Sequence, residues 1–236
     1  MRKHVRTKVV ASTDPGGYRG RRATRIGSEH RRRAILEATL RIIIRDGIRA
    51  VRHRAVAQEA GVPLSATTYY FKDIRDLIAD TFTLFVENAQ AQVIDPVWIQ
   101  IYQFTAQYSG DALKDEKDRA EFLAGMAKLA ANFVEGQLQQ HREHLLAEQA
   151  FMQAAILDER LRDQAENFRQ KIREGLMAFC TMVGTIDPPM DAELIHEAFL
   201  QLEYEQLIRK DQAFDRDRAE RVLAHRFRLV FGVGEA

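Results

Sequence analysis

Apolar residues recur at helical spacing along nearly the whole chain, and no stretch alternates as a strand would. Between 29 and 46, Ile35, Ala38 and Ile42, flanked by Thr39 and Ile43, repeat as one face of an α-helix. Ser28 is placed to cap it near Glu29, and Asp46-Gly47 to end it. A short helix over about 52–60 follows, with Val56 and Ala60 on one face. Ala57 and Gly61 lie four residues apart, about one helical turn. A tight helical corner needs that pair: a small residue where a second helix crosses, and a residue tolerating positive φ where the chain turns. Val62 would fill the corner, and Pro63 would fix φ near the start of a second short helix, about 64–71. Asp73 and Asp76 suit the N-terminus of a long helix over 74–93, with Leu77, Thr81, Leu84 and Phe85 on its buried face. Asp95-Pro96 is expected to break it.

Beyond Pro96 the pattern predicts helices over about 97–108, 116–139, 141–157, 159–183, 191–209 and 217–231, with a polar loop around Gly110. The stripe Leu161, Ala165, Phe168, Ile172, Leu176, Phe179 and Val183 is nearly heptad. Gly184 and Asp187-Pro188-Pro189 end it. The fold class is all-α.

Composition sharpens this. The chain of 236 residues is 46% hydrophobic and 29% charged, a globular balance. No apolar run reaches the ~18 residues of a membrane span. The basic N-terminus has no apolar stretch behind it, and a single cysteine excludes an internal disulfide framework, so a cytoplasmic protein is expected. Net charge is +1. It is unevenly placed: residues 1–80 carry 18 Lys and Arg against 8 Asp and Glu, and the remainder carries 17 against 26. Only the N-terminal third is suited to a polyanion. Residues 1–28 are polar and without periodicity, so they read as a disordered basic segment. Arg19, Arg21, Arg22 and Arg25 there form either a solvated tail or an arm on DNA. Arg31, Arg32 and Arg33 oppose the dipole of the helix they open, a cost that makes sense beside phosphates. The helix 64–71 carries Ser65, Thr67, Thr68, Tyr69 and Tyr70, followed by Lys72; hydroxyls, aromatics and a cation meet phosphate oxygens and base edges.

Three segments together, RRRAILEATLRIIIRDGIRAV, VAQEAGVPLSATTYYF and DIRDLI, resemble the DNA-binding domain of the TetR family of transcriptional regulators. The likeness runs from Arg31 to Asp80; beyond it, only helix number and layout are similar. It implies a three-helix DNA-binding domain at 29–89, after the arm at 1–28, and a helical ligand-binding and dimerisation domain at 90–236. The helix 64–71 would be the recognition helix. Ser65, Thr67 and Thr68 would face bases or phosphates, and Tyr69 and Tyr70 would pack on and contact the DNA backbone. Lys72, Arg52 and Arg54 would bind phosphate. Three positions depart from the family pattern: Pro63 for a capping Ser or Thr, Tyr70 for His, and Ile74 for a phosphate-binding Lys. Either Lys72 or Arg75 would replace that last contact.

The resemblance further implies a homodimer on a palindromic operator, released by a small molecule. Helices 159–183 and 191–209 are the candidates for the dimer interface. Trp98, Tyr102, Phe122 and Met126, with Phe133, Phe151 and Met152, are the candidate lining of an apolar ligand cavity, with Tyr102 and Asn132 as polar tips. A ligand-independent or partner-regulated DNA-binding protein is the alternative. His141, His144 and Glu148 share a helix face at a spacing that could hold a metal, but a solvated polar face is the preferred reading. Cys180, on the apolar stripe, reads as a buried inert thiol. There is no Gly-x-Ser-x-Gly and no phosphate-binding Gly loop, so neither an enzyme nor a cofactor is expected.

Overall fold

The structure, a computed structural model, describes residues 26–108, 115–209 and 213–231. The basic segment before Ile26 and the loop around Gly110 lie outside them. Helix α1 spans Ile26–Asp46, α2 His53–Ala60, α3 Leu64–Tyr70 and α4 Ile74–Ala89. Helix α5 spans Asp95–Thr105, α6 Glu116–Gln140, α7 Arg142–Leu157, α8 Glu159–Val183, α9 Pro188–Ile208 and α10 Arg216–Val230. No strand occurs among the described residues, as the periodicity predicts.

The predicted stripe of α1 is buried, and Ile35, Ala38, Thr39, Ile42 and Ile43 face α2 and α4. Ser28 does not cap this helix. The helix starts at Ile26, and the Ser28 hydroxyl hydrogen-bonds the Tyr70 hydroxyl at 2.8 Å, so a tertiary partner replaces the local one. At the corner between α2 and α3, Gly61 is left-handed at φ 64, and the Val62 amide donates back to the Ala57 carbonyl. Asp73 caps α4 by accepting from the Arg75 amide at 2.9 Å.

Asp95-Pro96 does not break the chain's course. A π-turn, Gln90–Ile94, joins α4 to α5, and Ala89, Gln90, Ile94 and Asp95 all keep right-handed helical angles. Proline lacks the amide for an ordinary helical bond, and its ring crowds the carbonyl four residues back. A single wider turn ahead of Pro96 is the helical solution to both problems.

Two cores form, and they do not follow the division at residue 89. The first joins α1–α4 to α7 and to the first half of α8: Phe82 stacks on Phe151 at 4.5 Å, and Phe85 meets Phe168 at 5.8 Å. The second joins α6, α9 and α10 to Phe179 and Cys180 of α8. Helix α5 lies over that core through aromatic rings that need glycine beneath them. A β-carbon on Gly175 of α8 would lie 2.7 Å from the Trp98 ring, and Phe104 covers Gly125 of α6 more closely still.

The α8 stripe assigned to a dimer face is largely turned inward. Leu161, Ala165, Phe168 and Phe179 are buried within the protomer, where α7, α9 and α4 cover them. The outer surface of α8 and α9 instead exposes Met177, Met182, Met190, Tyr204 and Ile208. Among the described residues, no helix is long and apolar enough to cross a membrane.

Candidate DNA-binding surface and ligand cavity

The basic residues of the N-terminal helices divide into two groups. Arg33 pairs with Glu37 at 2.9 Å, while Arg41 and Arg45 bridge to Glu59 of α2 at 3.0 and 3.1 Å. Hydrogen bonds from Arg41, then Arg45, hold the Glu59 carboxyl below its usual range. Arg32 is buried. Its guanidinium meets the Asp80 carboxylate of α4 at 2.6 Å and lies 5.5 Å from the centre of the Phe71 ring. It therefore locks α1 to α4, and the phosphate-facing expectation for it fails. Arg31, Arg54, Lys72 and Arg75 are exposed and form no salt bridge with a described residue. Arg52 is exposed too, curled back to donate to the Arg49 and Val51 carbonyls at 2.6 and 2.8 Å.

Helix α3 presents Ser65, Thr68 and Tyr69 to solvent, Tyr69 being 52% exposed. Together with Ser28, Arg31 and Pro63, Ser65 and Tyr69 line an open groove between α1 and α3. Thr67 and Tyr70 belong to the opposite face. Thr67 is fully buried and donates to the Leu64 carbonyl at 2.8 Å, so it presents nothing to a base. Tyr70 is buried against the first core with its hydroxyl on Ser28, so its part is to fix the angle of α3 against α1. Lys72 and Arg75 are both exposed, one on each side of the Asp73 cap.

Helix α8 grips the start of α4. Arg160 reaches Asp73 at 3.1 Å and Asp76 at 3.3 Å, and the Gln164 amide donates to the Ala79 carbonyl and the Thr83 hydroxyl. The Arg75 amide, with Arg160 behind it, holds the Asp73 carboxyl below its usual range.

A cavity of about 160 Å³ lies between the two cores. Phe85 and Ala89 of α4 and Phe168 of α8 border it on one side, and Met126, Phe179 and Ile195 on the other. Val93 and Ile94 of the π-turn also line it. Of the candidate residues, Trp98, Met126 and Phe133 face the cavity. Phe122 is sealed in the second core beside Phe104 and Tyr108, and Phe151 in the first beneath Phe82. Met152 packs on the first core, and Tyr102 is 47% exposed, stacked on Trp98 away from the cavity. Asn132 is exposed and accepts from Arg216.

The cavity's polar lining is Gln137, His144, Glu148, His196 and Glu203. None of these was a candidate ligand contact from sequence. The shared face of His144 and Glu148 was visible in their spacing, but it turns to the cavity and not to solvent. Burial pushes the Glu148 carboxyl up to about 7; burial, then the nearby Glu148 charge, pushes Glu203 up to about 8. Burial and then Arg169 and Arg173 bring His196 down to about 4, and burial and His141 lower His144. Among the described residues, no group of three or more His, Cys, Asp or Glu is placed to hold a metal ion. Cys180 is fully buried, as expected, and burial first, then Asp191, pushes its thiol up to about 11.

Comparison with known proteins agrees with this geometry. Residues 35–81 match the sequence model of bacterial regulatory proteins of the tetR family. The HTH-type transcriptional regulator PksA of Bacillus subtilis (strain 168) is 36% identical over 70 residues, 30% of this chain and 34% of PksA. The chain thus spans about a third of that curated relative. A TetR-family protein of Streptomyces coelicolor A3 shares the fold at TM-score 0.57 and 22% identity, over 83% of this chain and 97% of the other. A transcriptional regulator of Rhodococcus sp. Rha1 does so at TM-score 0.62 and 16% identity, over 85% and 96%. The multidrug binding protein EbrR, complexed with proflavin, does so at TM-score 0.52 and 24% identity, over 83% and 99%. Residues 35–81 thus form a DNA-binding domain of the bacterial tetR regulatory type, and the helices around it share the fold of solved TetR-family proteins.

Proposed function

We propose that the protein is a homodimeric transcriptional repressor that leaves a palindromic operator when a small molecule enters the cavity between its cores. The observation that carries this reading is the cavity wall itself. Phe85 and Ala89, from the helix that follows the recognition helix, line it together with the π-turn. A ligand there touches the element on which the DNA-binding helices are mounted. EbrR, whose fold this chain shares, is a multidrug binding protein solved with proflavin and with ethidium, which supports a ligand in such a place.

DNA contact falls to Ser65, Thr68 and Tyr69 of α3, with Arg52, Arg54 and Lys72 on phosphates. One helix of 7 residues offers little surface. Two copies, reading half-sites ~34–36 Å apart, are needed for specific affinity. The exposed apolar residues of α8 and α9 suit the partner copy. The ligand acts by binding the DNA-incompetent arrangement more tightly, through a shift of α4 against α6 and α9. Selection of binding sites from random DNA, followed by footprinting of the selected site, tests this. A palindrome protected by two protomers is the expected result, and a site without dyad symmetry, bound by a monomer, overturns it.

A further inference from the structure

Glu148 of α7 and Glu203 of α9 stand on the same cavity wall, and neither makes a hydrogen bond or salt bridge with a described residue. Two interacting acids on the wall of an apolar cavity are costly in their charged forms unless something else supplies positive charge. The protein does not. Among the described residues no Lys or Arg lines the cavity, and its two histidines, His144 and His196, are both pushed toward the neutral form. The nearest cations come from α8: Arg169, which is exposed and acts on Glu148 and His196, and Arg173, which acts on His196. His141 and Glu143 act on His144, lowering and raising its pKa respectively. The rest of the wall is aromatic: Phe85, Trp98, Phe133, Phe168 and Phe199 offer ring faces or edges.

We propose that the cavity is a site for a compact lipophilic cation, one aromatic ring bearing an ammonium or amidinium head, taken up in exchange for a proton. The proposal rests on the reading of this cavity as the effector site. One ionised carboxylate of the Glu148–Glu203 pair neutralises the head while the other acid keeps its proton, and the rings give the cation the π-faces it favours. Size follows from the volume. At about 160 Å³ the cavity is close to the ~150 Å³ that holds a benzene in a protein interior. With no cation beside them, the two acids retain protons well above the ordinary carboxyl range. An entering monocation replaces one proton, which passes to buffer, and the charge of the cavity stays balanced. A neutral ligand of the same shape displaces none.

The single tryptophan, Trp98, lies on the wall and reports occupancy by its fluorescence. Full-length protein is titrated with benzyltrimethylammonium and with its neutral carbon isostere, neopentylbenzene, from pH 6 to pH 8. The cation's affinity should rise about tenfold over that range, as one carboxyl of the coupled pair loses its proton, while the isostere's stays level. Calorimetry in two buffers of different ionisation heat should show proton release with the cation only. The double variant E148Q/E203Q, checked for native helicity by circular dichroism, should lose the preference for the cation and its pH slope and still bind the isostere. Equal, pH-independent binding of both compounds, an unchanged cation affinity in the double variant, or no Trp98 response to either compound overturns the proposal. Operator release is scored separately. Cation uptake with proton release on an intact DNA complex would sink the regulatory reading alone, and operator release by neutral ligands only would sink this one alone.

Discussion

Replacing Asp80 with alanine removes the carboxylate that meets Arg32 and leaves a guanidinium enclosed between α1 and α4. The two side chains are 4% and 1% exposed and 2.6 Å apart. Charges about 4 Å apart at an effective dielectric near 20 attract by roughly 4 kcal/mol, and both have already been stripped of water. Removing one partner therefore forfeits the attraction without recovering the desolvation of the other, and a loss of about 3–5 kcal/mol is expected. The ring of Phe71, 5.5 Å away, and the exposed Glu29 carboxylate at 3.6 Å remain beside the guanidinium and offset only a fraction of that. The double variant R32M/D80L, apolar and of similar volume, should lie within about 1 kcal/mol of the native protein or above it. Urea unfolding followed by circular dichroism measures all the variants without screening charge. A loss below about 1 kcal/mol for D80A, or a double variant as unstable as the single, would show that the pair does not hold α1 on α4.

Stability should also report the cavity acids. Glu148 and Glu203 keep their protons to about 7 and about 8 in the folded protein, against an ordinary 4.5. The folded state binds more protons across that window, so stability falls as pH rises from about 4.5 to about 8 and then levels off. E148Q/E203Q should flatten this slope and gain several kcal/mol at pH 8, read from denaturation at several pH values; an unchanged slope would place the acids in water. Phe151→Ala removes the ring stacked on Phe82 and should cost about 3–5 kcal/mol in the same assay. Gly175→Ala puts a methyl 2.7 Å from Trp98, which must then move. Helix propensity and crowding oppose each other there, so the reading is optical: the tryptophan emission shifts, and occupancy of the cavity no longer perturbs it.

The helix-turn-helix was legible because its signals are local. Ala57, Gly61 and Val62 describe one corner, and the basic excess before residue 80 says what the corner meets. The limits of α8 could be read as well, since Gly184 ends it in the left-handed form. What could not be read depended on distant partners. Arg32 looks like its neighbours Arg31 and Arg33 until Asp80 arrives from 48 residues away. Glu148 and Glu203 stand 55 residues apart on separate helices, and only the packing of those helices around one cavity brings them onto a common wall. Thr67 and Tyr70 differ from Thr68 and Tyr69 by one step around a helix, and in so short an element one step decides between core and solvent. At Pro96 a rule applied correctly gave the wrong outcome, because a proline that forbids an ordinary turn still permits a wider one.

The sharing of the first core has a practical side for protein engineering. Phe82 and Phe85 stand on α4, yet the rings that cover them, Phe151 and Phe168, come from α7 and α8. A graft that moves residues 26–89 onto another regulator would carry two bare phenylalanines into a foreign setting. The transplantable unit is discontinuous: the first four helices together with α7 and the opening turns of α8. Exchange of DNA specificity in this protein is therefore better attempted on the exposed residues of α3 than by swapping the segment that contains it.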